Sequence, residues 1–129
     1  MAEKSVVRTD KAPGPFQGAP YNQAIAVGDL VFVAGQLGIS LETGALAGEG
    51  VDEQTEQIMA NLGAILEAAG SGLDNLVKTT VFLMDLDDFA AMNEVYAKHV
   101  GDRPPARSTV QISGLPSGAL VEIEAIATV

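Results

Sequence analysis

The chain contains no cysteine. That excludes a disulfide framework, thiolate zinc sites and a thiol nucleophile. It also suits a reducing compartment, so a cytoplasmic location is expected. No apolar run reaches the length of about 18 residues that a membrane-spanning helix needs. The opening residues Met1-Ala2-Glu3-Lys4 lead into no apolar segment of the signal-peptide kind, so no secretory leader is expected. Only one histidine is present, His99. Bases are scarce: 7 Lys and Arg stand against 17 Asp and Glu, for a formal net charge of -10. Such a field repels the phosphate backbone that dominates nucleic-acid affinity, so no nucleic-acid partner is expected. A local basic pocket could still hold a small anion.

What is present fits one folded domain over residues 1–129, with 47% hydrophobic and 19% charged residues. Glycine is abundant and punctuates short elements. Residues 5–9 read as a first strand, and 11–21, rich in proline and glycine, as a loop. Residues 24–27 and 30–36 read as two strands joined by a tight turn at Gly28-Asp29, with Gly28 at positive φ. After the loop Gly44 to Gly50, Asp52 is expected to cap a helix carrying Ile58, Leu62, Ile65, Leu66 and Ala69 at helical spacing, with Gly70 just past its end. Residues 76–84 read as a central strand. Residues 87–100 read as a second helix with Phe89, Met92 and Tyr96 inward, and 107–113 and 119–129 as two final strands. The order β-β-β-α-β-α-β-β makes an α+β fold with two helices on one face of a sheet. The outer face then keeps Leu120 and Ile126 exposed, and oligomerisation would bury them.

Few residues offer chemistry. His99 sits where a helix ends and reads as a surface or dipole-complementing residue. Asp85, Asp87 and Asp88 read as an N-cap and a solvated first turn rather than a metal site. The glycines of 44–50 form neither GxGxxG nor a P-loop, and read as a plain loop. Arg107 stands out because it enters a strand straight after Pro104-Pro105 and Ala106, a stiff approach. Its guanidinium fork fits a carboxylate through two hydrogen bonds, or else pairs with a neighbouring glutamate.

Treating the last two strands as an antiparallel hairpin, and matching Val110 and Ile112 with Val121 and Ile123, pairs Val110 with Val121. Thr109 then faces Glu122 and Arg107 faces Glu124. The four form one polar cluster, which is either an ion-paired sheet face or a carboxylate anchor beside an acid/base carboxylate.

The sequence resembles the RidA (YjgF) family of reactive intermediate deaminases, also labelled endoribonuclease L-PSP or translation inhibitor. The resemblance rests on Gly18-Ala19-Pro20-Tyr21-Asn22-Gln23-Ala24, Val33-Ala34-Gly35-Gln36, Asn61-Leu62 and Leu66-Glu67-Ala68-Ala69-Gly70. It continues through Val77-Lys78-Thr79-Thr80-Val81-Phe82-Leu83, Asp88-Phe89, Met92-Asn93, Tyr96, Pro105-Ala106-Arg107-Ser108 and Val121-Glu122-Ile123-Glu124-Ala125-Ile126-Ala127. Each piece alone is weak. Their order and spacing together are specific and cover nearly the whole chain.

The resemblance implies a chorismate-mutase-like α+β fold, a homotrimer with active sites in clefts between subunits, and no metal or organic cofactor. It implies hydrolysis of 2-enamine or 2-imine acids to 2-keto acids and ammonia. By matching positions, Arg107 would bind the substrate carboxylate and Glu122 would position and activate water. Tyr21 and Asn93 would line the pocket with Thr109, and Gly35 would add backbone contacts. Two departures stand out. Thr109 occupies a position that is often cysteine in the family, which implies a shifted substrate range. The tyrosine motif reads Gly-Ala-Pro-Tyr rather than Gly-Pro-Tyr, which implies a displaced Tyr21. The alternatives are an endoribonuclease or translation inhibitor, and a non-catalytic module that senses a small carboxylate.

Overall fold

The computed structural model describes residues 2–129. Six strands and two α-helices follow the expected order. They are β1 (Ser5–Val7), β2 (Ala24–Val27), β3 (Leu30–Leu37), α1 (Val51–Ala68), β4 (Leu76–Leu83), α2 (Phe89–Ala97), β5 (Ala106–Gln111) and β6 (Val121–Thr128). Both helices pack on one face of a mixed sheet ordered β1-β2-β3-β6-β4-β5. No helix among the described residues is long and apolar enough to cross a membrane.

Local chemistry explains most boundaries. Gly28 takes φ 57 in the two-residue turn that pairs Val27 with Leu30. Helix α1 begins two residues earlier than expected. Gly50, not Asp52, is its N-cap, and the Glu53 carboxylate accepts from the Gly50 N–H at 3.3 Å. Asp52 instead lies in the first turn, where its charge suits the helix dipole. The far end closes as a Schellman motif. Gly70 sits at φ 79, its N–H donates to Glu67 O at 3.0 Å, and the Ser71 N–H donates to Leu66 O at 2.8 Å. A 3-10 turn, Leu86–Asp88, precedes α2, and Asp85 caps it by accepting from the Asp87 N–H at 2.9 Å.

The core lies between the helices and one sheet face. Ile58, Met59, Leu62, Ile65 and Leu66 of α1 and Met92 and Tyr96 of α2 cover Val31, Val81, Leu83, Val121 and Ile123. Phe89 departs from its expected inward place and is 41% exposed.

The last two strands do not form a hairpin. Strand β6 inserts between β3 and β4, antiparallel to both, while β5 runs parallel to β4 on the far edge. The connection over 112–120 is far longer than a tight turn. The β4–α2–β5 unit is instead a helical crossover between parallel strands. The apolar, alternating β6 takes the centre, where both its edges are paired. The polar ARSTVQ run of β5 takes an edge, where solvent satisfies its open side.

This topology reverses the expected orientation of β5. Thr79 pairs with Arg107 and Val81 with Thr109, and these rows face the helices. Thr80 pairs with Ser108 and Phe82 with Val110, and these rows face the open side. Val110, assigned to the core from its alternation, is therefore 41% exposed. Phe32, Val6 and Leu30 are exposed on the same open face.

Candidate functional site

Glu122 and Glu124 point out of the open face of β6, beside Phe82 and Thr80 of β4. Glu122 lies against Gly35. A Cβ built on Gly35 would come within 2.8 Å of Glu122 Cδ and 3.0 Å of its Oε1. Any side chain at position 35 would displace the carboxyl. The β3–β6 register shifts between Val33 and Gln36, so an irregularity at Ala34-Gly35 opens the strand at this point. Burial raises the Glu122 pKa above its ordinary value, and the like charge of Glu124 raises it further. Glu122 thus holds a proton more tightly than a free glutamate, which favours a role in proton exchange.

A cleft of about 450 Å3 surrounds this carboxyl, with Tyr21, Gly35, Phe82, Glu122 and Glu124 in its walls. Tyr21 reaches the cleft despite the extra residue in its motif. The Phe16 N–H, at the start of the turn Phe16–Gly18, donates to Tyr21 Oη at 2.6 Å. Gln23, two residues on, is buried and holds the loop in place. Its Oε1 accepts from the Thr9 N–H at 2.8 Å, and its Nε2 reaches Thr9 O, Ala12 O and Pro13 O at 3.1, 3.1 and 2.9 Å. In the sequence Gln23 stands only as part of the motif Gly18 to Ala24. A lone glutamine after a proline-rich loop gives no sign of where its amide ends. Gln23→Ala should cost about 2 kcal/mol, since buried backbone groups lose their partners. Urea denaturation would measure the loss.

Arg107 lies elsewhere. Its guanidinium sits over the Tyr96 ring at 4.9 Å and faces Phe89 at 5.4 Å from the ring centroid. Tyr96 is fixed in turn by a 2.6 Å hydrogen bond between its Oη and Thr79 Oγ1, the strand neighbour of Arg107. Burial raises the Tyr96 phenol pKa, so the ring stays neutral beneath the cation. Asn93 shares the helix face of Phe89 and Tyr96 by its i, i+4, i+7 spacing, and its Oδ1 is buried without a hydrogen-bond partner. Thr109 follows Arg107 on the same strand face. In the sequence, the spacing of Phe89 and Tyr96 places both rings inward, which hides their role as a platform for Arg107.

The expected cluster of Arg107, Thr109, Glu122 and Glu124 is therefore not formed within one chain. Thr109 does not pair with Glu122, nor Arg107 with Glu124. Glu122 is paired with Phe82 and Leu37, and Arg107 with Thr79. Paired residues share a face, so the arginine and the glutamates stand on opposite sides of the sheet. The sequence residues fall into two groups: Tyr21, Gly35 and Glu122 on the open face, Arg107, Asn93 and Thr109 on the helix side. His99 joins neither. Its Nε2 pairs with the Glu56 carboxylate and ties the end of α2 to α1.

Comparison with known proteins adds to this geometry. The family model described as Endoribonuclease L-PSP matches residues 9–129. A RutC family protein of Pyrococcus abyssi is 51% identical over 124 residues, spanning 96% of each chain. The human protein named 2-iminobutanoate/2-iminopropanoate deaminase is 42% identical over 124 residues, or 96% of this chain and 89% of that one. The crystal structure of RidA from an Antarctic Psychrobacter matches with a TM-score of 0.91 at 45% identity, covering 97% of this chain and 99% of that one. An order of motifs that runs through the whole chain, a fold that matches over nearly all of it, and relatives this similar have one explanation: the chain belongs to the RidA (YjgF) family, described also as the endoribonuclease L-PSP family.

Proposed function

We propose that this protein is a hydrolytic deaminase that converts 2-imino acids, and the 2-enamine acids that tautomerise to them, into 2-keto acids and ammonia. One observation carries the reading: a half-buried carboxyl, Glu122, rests on bare Gly35 backbone in a small-molecule cleft with its pKa raised. The relatives named as deaminases support it.

Glu122 holds a water against the imine carbon and takes its proton as the C–O bond forms. The carbinolamine that results accepts that proton on nitrogen. The C–N bond then breaks, ammonia leaves, and Glu122 takes the hydroxyl proton as the carbonyl forms, so that a protonated imine and water give the keto acid, ammonia and one proton. A carboxyl with a raised pKa serves both transfers, for an acceleration of about 10²–10⁴-fold. The substrate carboxylate docks on the guanidinium fork of Arg107. Because Arg107 and Glu122 occupy opposite faces of one sheet, we place that anchor on a neighbouring copy. A homotrimer with clefts between subunits brings the β5 edge of one copy to the open face of the next. The same contact covers Phe32 and Val110, which one chain leaves exposed. The working location we propose is the cytoplasm, and the partners are small imino, enamino and keto acids.

The test is ammonia release from imines made in situ by an amino acid oxidase. Wild type should accelerate it, and Arg107→Ala should lose roughly 10- to 100-fold, the worth of a bidentate charge-assisted contact. Binding without turnover would instead make the protein a carboxylate sensor. Cleavage of RNA by the pure protein in the absence of metal would make it a nuclease. Light scattering should give a mass near three times the 13.3 kDa chain. A monomer mass refutes the shared site.

A further inference from the structure

A second cavity, of about 770 Å3, opens beside the Glu122 cleft. The two share Pro13, Gly14, Phe16 and Ile39 as a common wall. The hydrolysis itself uses none of this space. Its size falls within the range of small-molecule pockets, about 300–1,000 Å3, and far exceeds what the methyl or ethyl group of a short imino acid fills. Phe16, Ile39, Leu46 and Leu120 give it apolar sides. Gln54, 1% exposed, clamps its floor. The Gln54 Nε2 donates to Gly48 O at 3.0 Å, and its Oε1 accepts from the Leu120 N–H at 2.8 Å. The loop over 39–50 and the approach to β6 are thereby held at a fixed separation.

The backbone around this cavity is strained. Among the described residues, the non-glycine residues in the left-handed region are Gln17, at φ 53, and Ser117, at φ 61. Both line this cavity, from the 3-10 turns Phe16–Gly18 and Pro116–Gly118. Glycine would adopt that conformation without crowding its neighbours, whereas a side chain there is disfavoured. Strain of this kind collects where a side chain has work to do.

We propose that this cavity is the side-chain subsite of the deaminase site, that it takes 2-imino acids with long apolar or aromatic side chains, and that Gln17 and Ser117 at its rim set the preference. The proposal rests on the deaminase reading. With the imine carbon beside Glu122, the side chain passes over the shared Phe16 and Ile39 wall into the larger space.

The test compares ammonia release from imines generated from L-phenylalanine and L-alanine, alongside calorimetric titration with phenylpyruvate and pyruvate. Wild type should favour the phenylalanine-derived imine in kcat/KM by at least about tenfold and bind phenylpyruvate more tightly than pyruvate. Ala45 lines the cavity at an exposed position, and Ala45→Phe should fill it and cut both preferences severalfold or more. Gln17→Gly and Ser117→Gly should raise the melting temperature while lowering the preference, which a purely structural role does not predict. Equal affinity for the two keto acids, or a preference untouched by Ala45→Phe, overturns the subsite while leaving the deaminase intact. Failure to hydrolyse any imine overturns the deaminase reading instead, and the titration still decides the subsite.

Discussion

Glu122→Gln should lower turnover at least tenfold, a loss of about 1.4 kcal/mol in transition-state stabilisation, without unfolding the protein. The amide keeps the shape that rests on Gly35 but neither accepts a proton from water nor returns one. Its effect on stability separates catalysis from folding. Glu122 has a raised folded-state pKa, so the native chain binds this proton more tightly than the unfolded chain. Stability is then lost as pH rises from the unfolded value through the folded one, and above it the carboxylate remains a cost. The neutral amide removes that cost, so the variant should melt at or above the wild-type temperature at neutral pH. Glu124→Gln should cost less activity. It also removes the like charge that helps raise the Glu122 pKa, so the acid limb of the pH–rate profile should move to lower pH. If Glu124→Gln proves the more damaging change, the two glutamates have been assigned in the wrong order. A fixed acid limb would mean that Glu122 does not control it.

Mixing two impaired variants should restore activity above that of either. Arg107→Ala and Glu122→Gln, each lowered about tenfold or more alone, are unfolded together at equal concentration and reassembled. A site that takes its arginine from one copy and its glutamate from the next is intact when both happen to be unmutated at that site. Random assembly in a closed ring makes about one quarter of sites intact, so about a quarter of wild-type activity should return. A site built within one chain returns none, because every chain carries one lesion. The opposite-face placement of Arg107 and Glu122 predicts the first outcome. Arg107→Lys belongs in the same series. It keeps the charge over Tyr96 and Phe89 but loses the planar fork, so it should lose most of the activity rather than a little. Wild-type turnover in that variant would place the anchor elsewhere.

The glycine turn at Gly28, the Gly70 cap, the buried stripe of α1 and the alternation of β6 are all legible in the residues, because each is a local preference read over a few positions. The motif order carried the family in the same way. The neighbours of β5 were not legible. Alternation tells which residues share a face, but not which face meets the helices, and here both sheet faces carry apolar rows. Val110 beside Phe82 looks as core-like as Val121 beside Leu83. Strand β6 lies between β3 and β4 because a central strand pairs both its edges, a gain over the whole sheet that adjacent strands in the sequence do not reveal. That single topological choice moved Arg107 onto the aromatic face of α2 and left Glu122 against Gly35 on the other side. The sequence by itself determined which side chains are the candidates for the chemistry, since charge, fork geometry and motif order belong to the residues. Only the tertiary structure decided that one chain keeps them apart, because the face of a β residue is set by its strand's partners and not by its own neighbours in the chain.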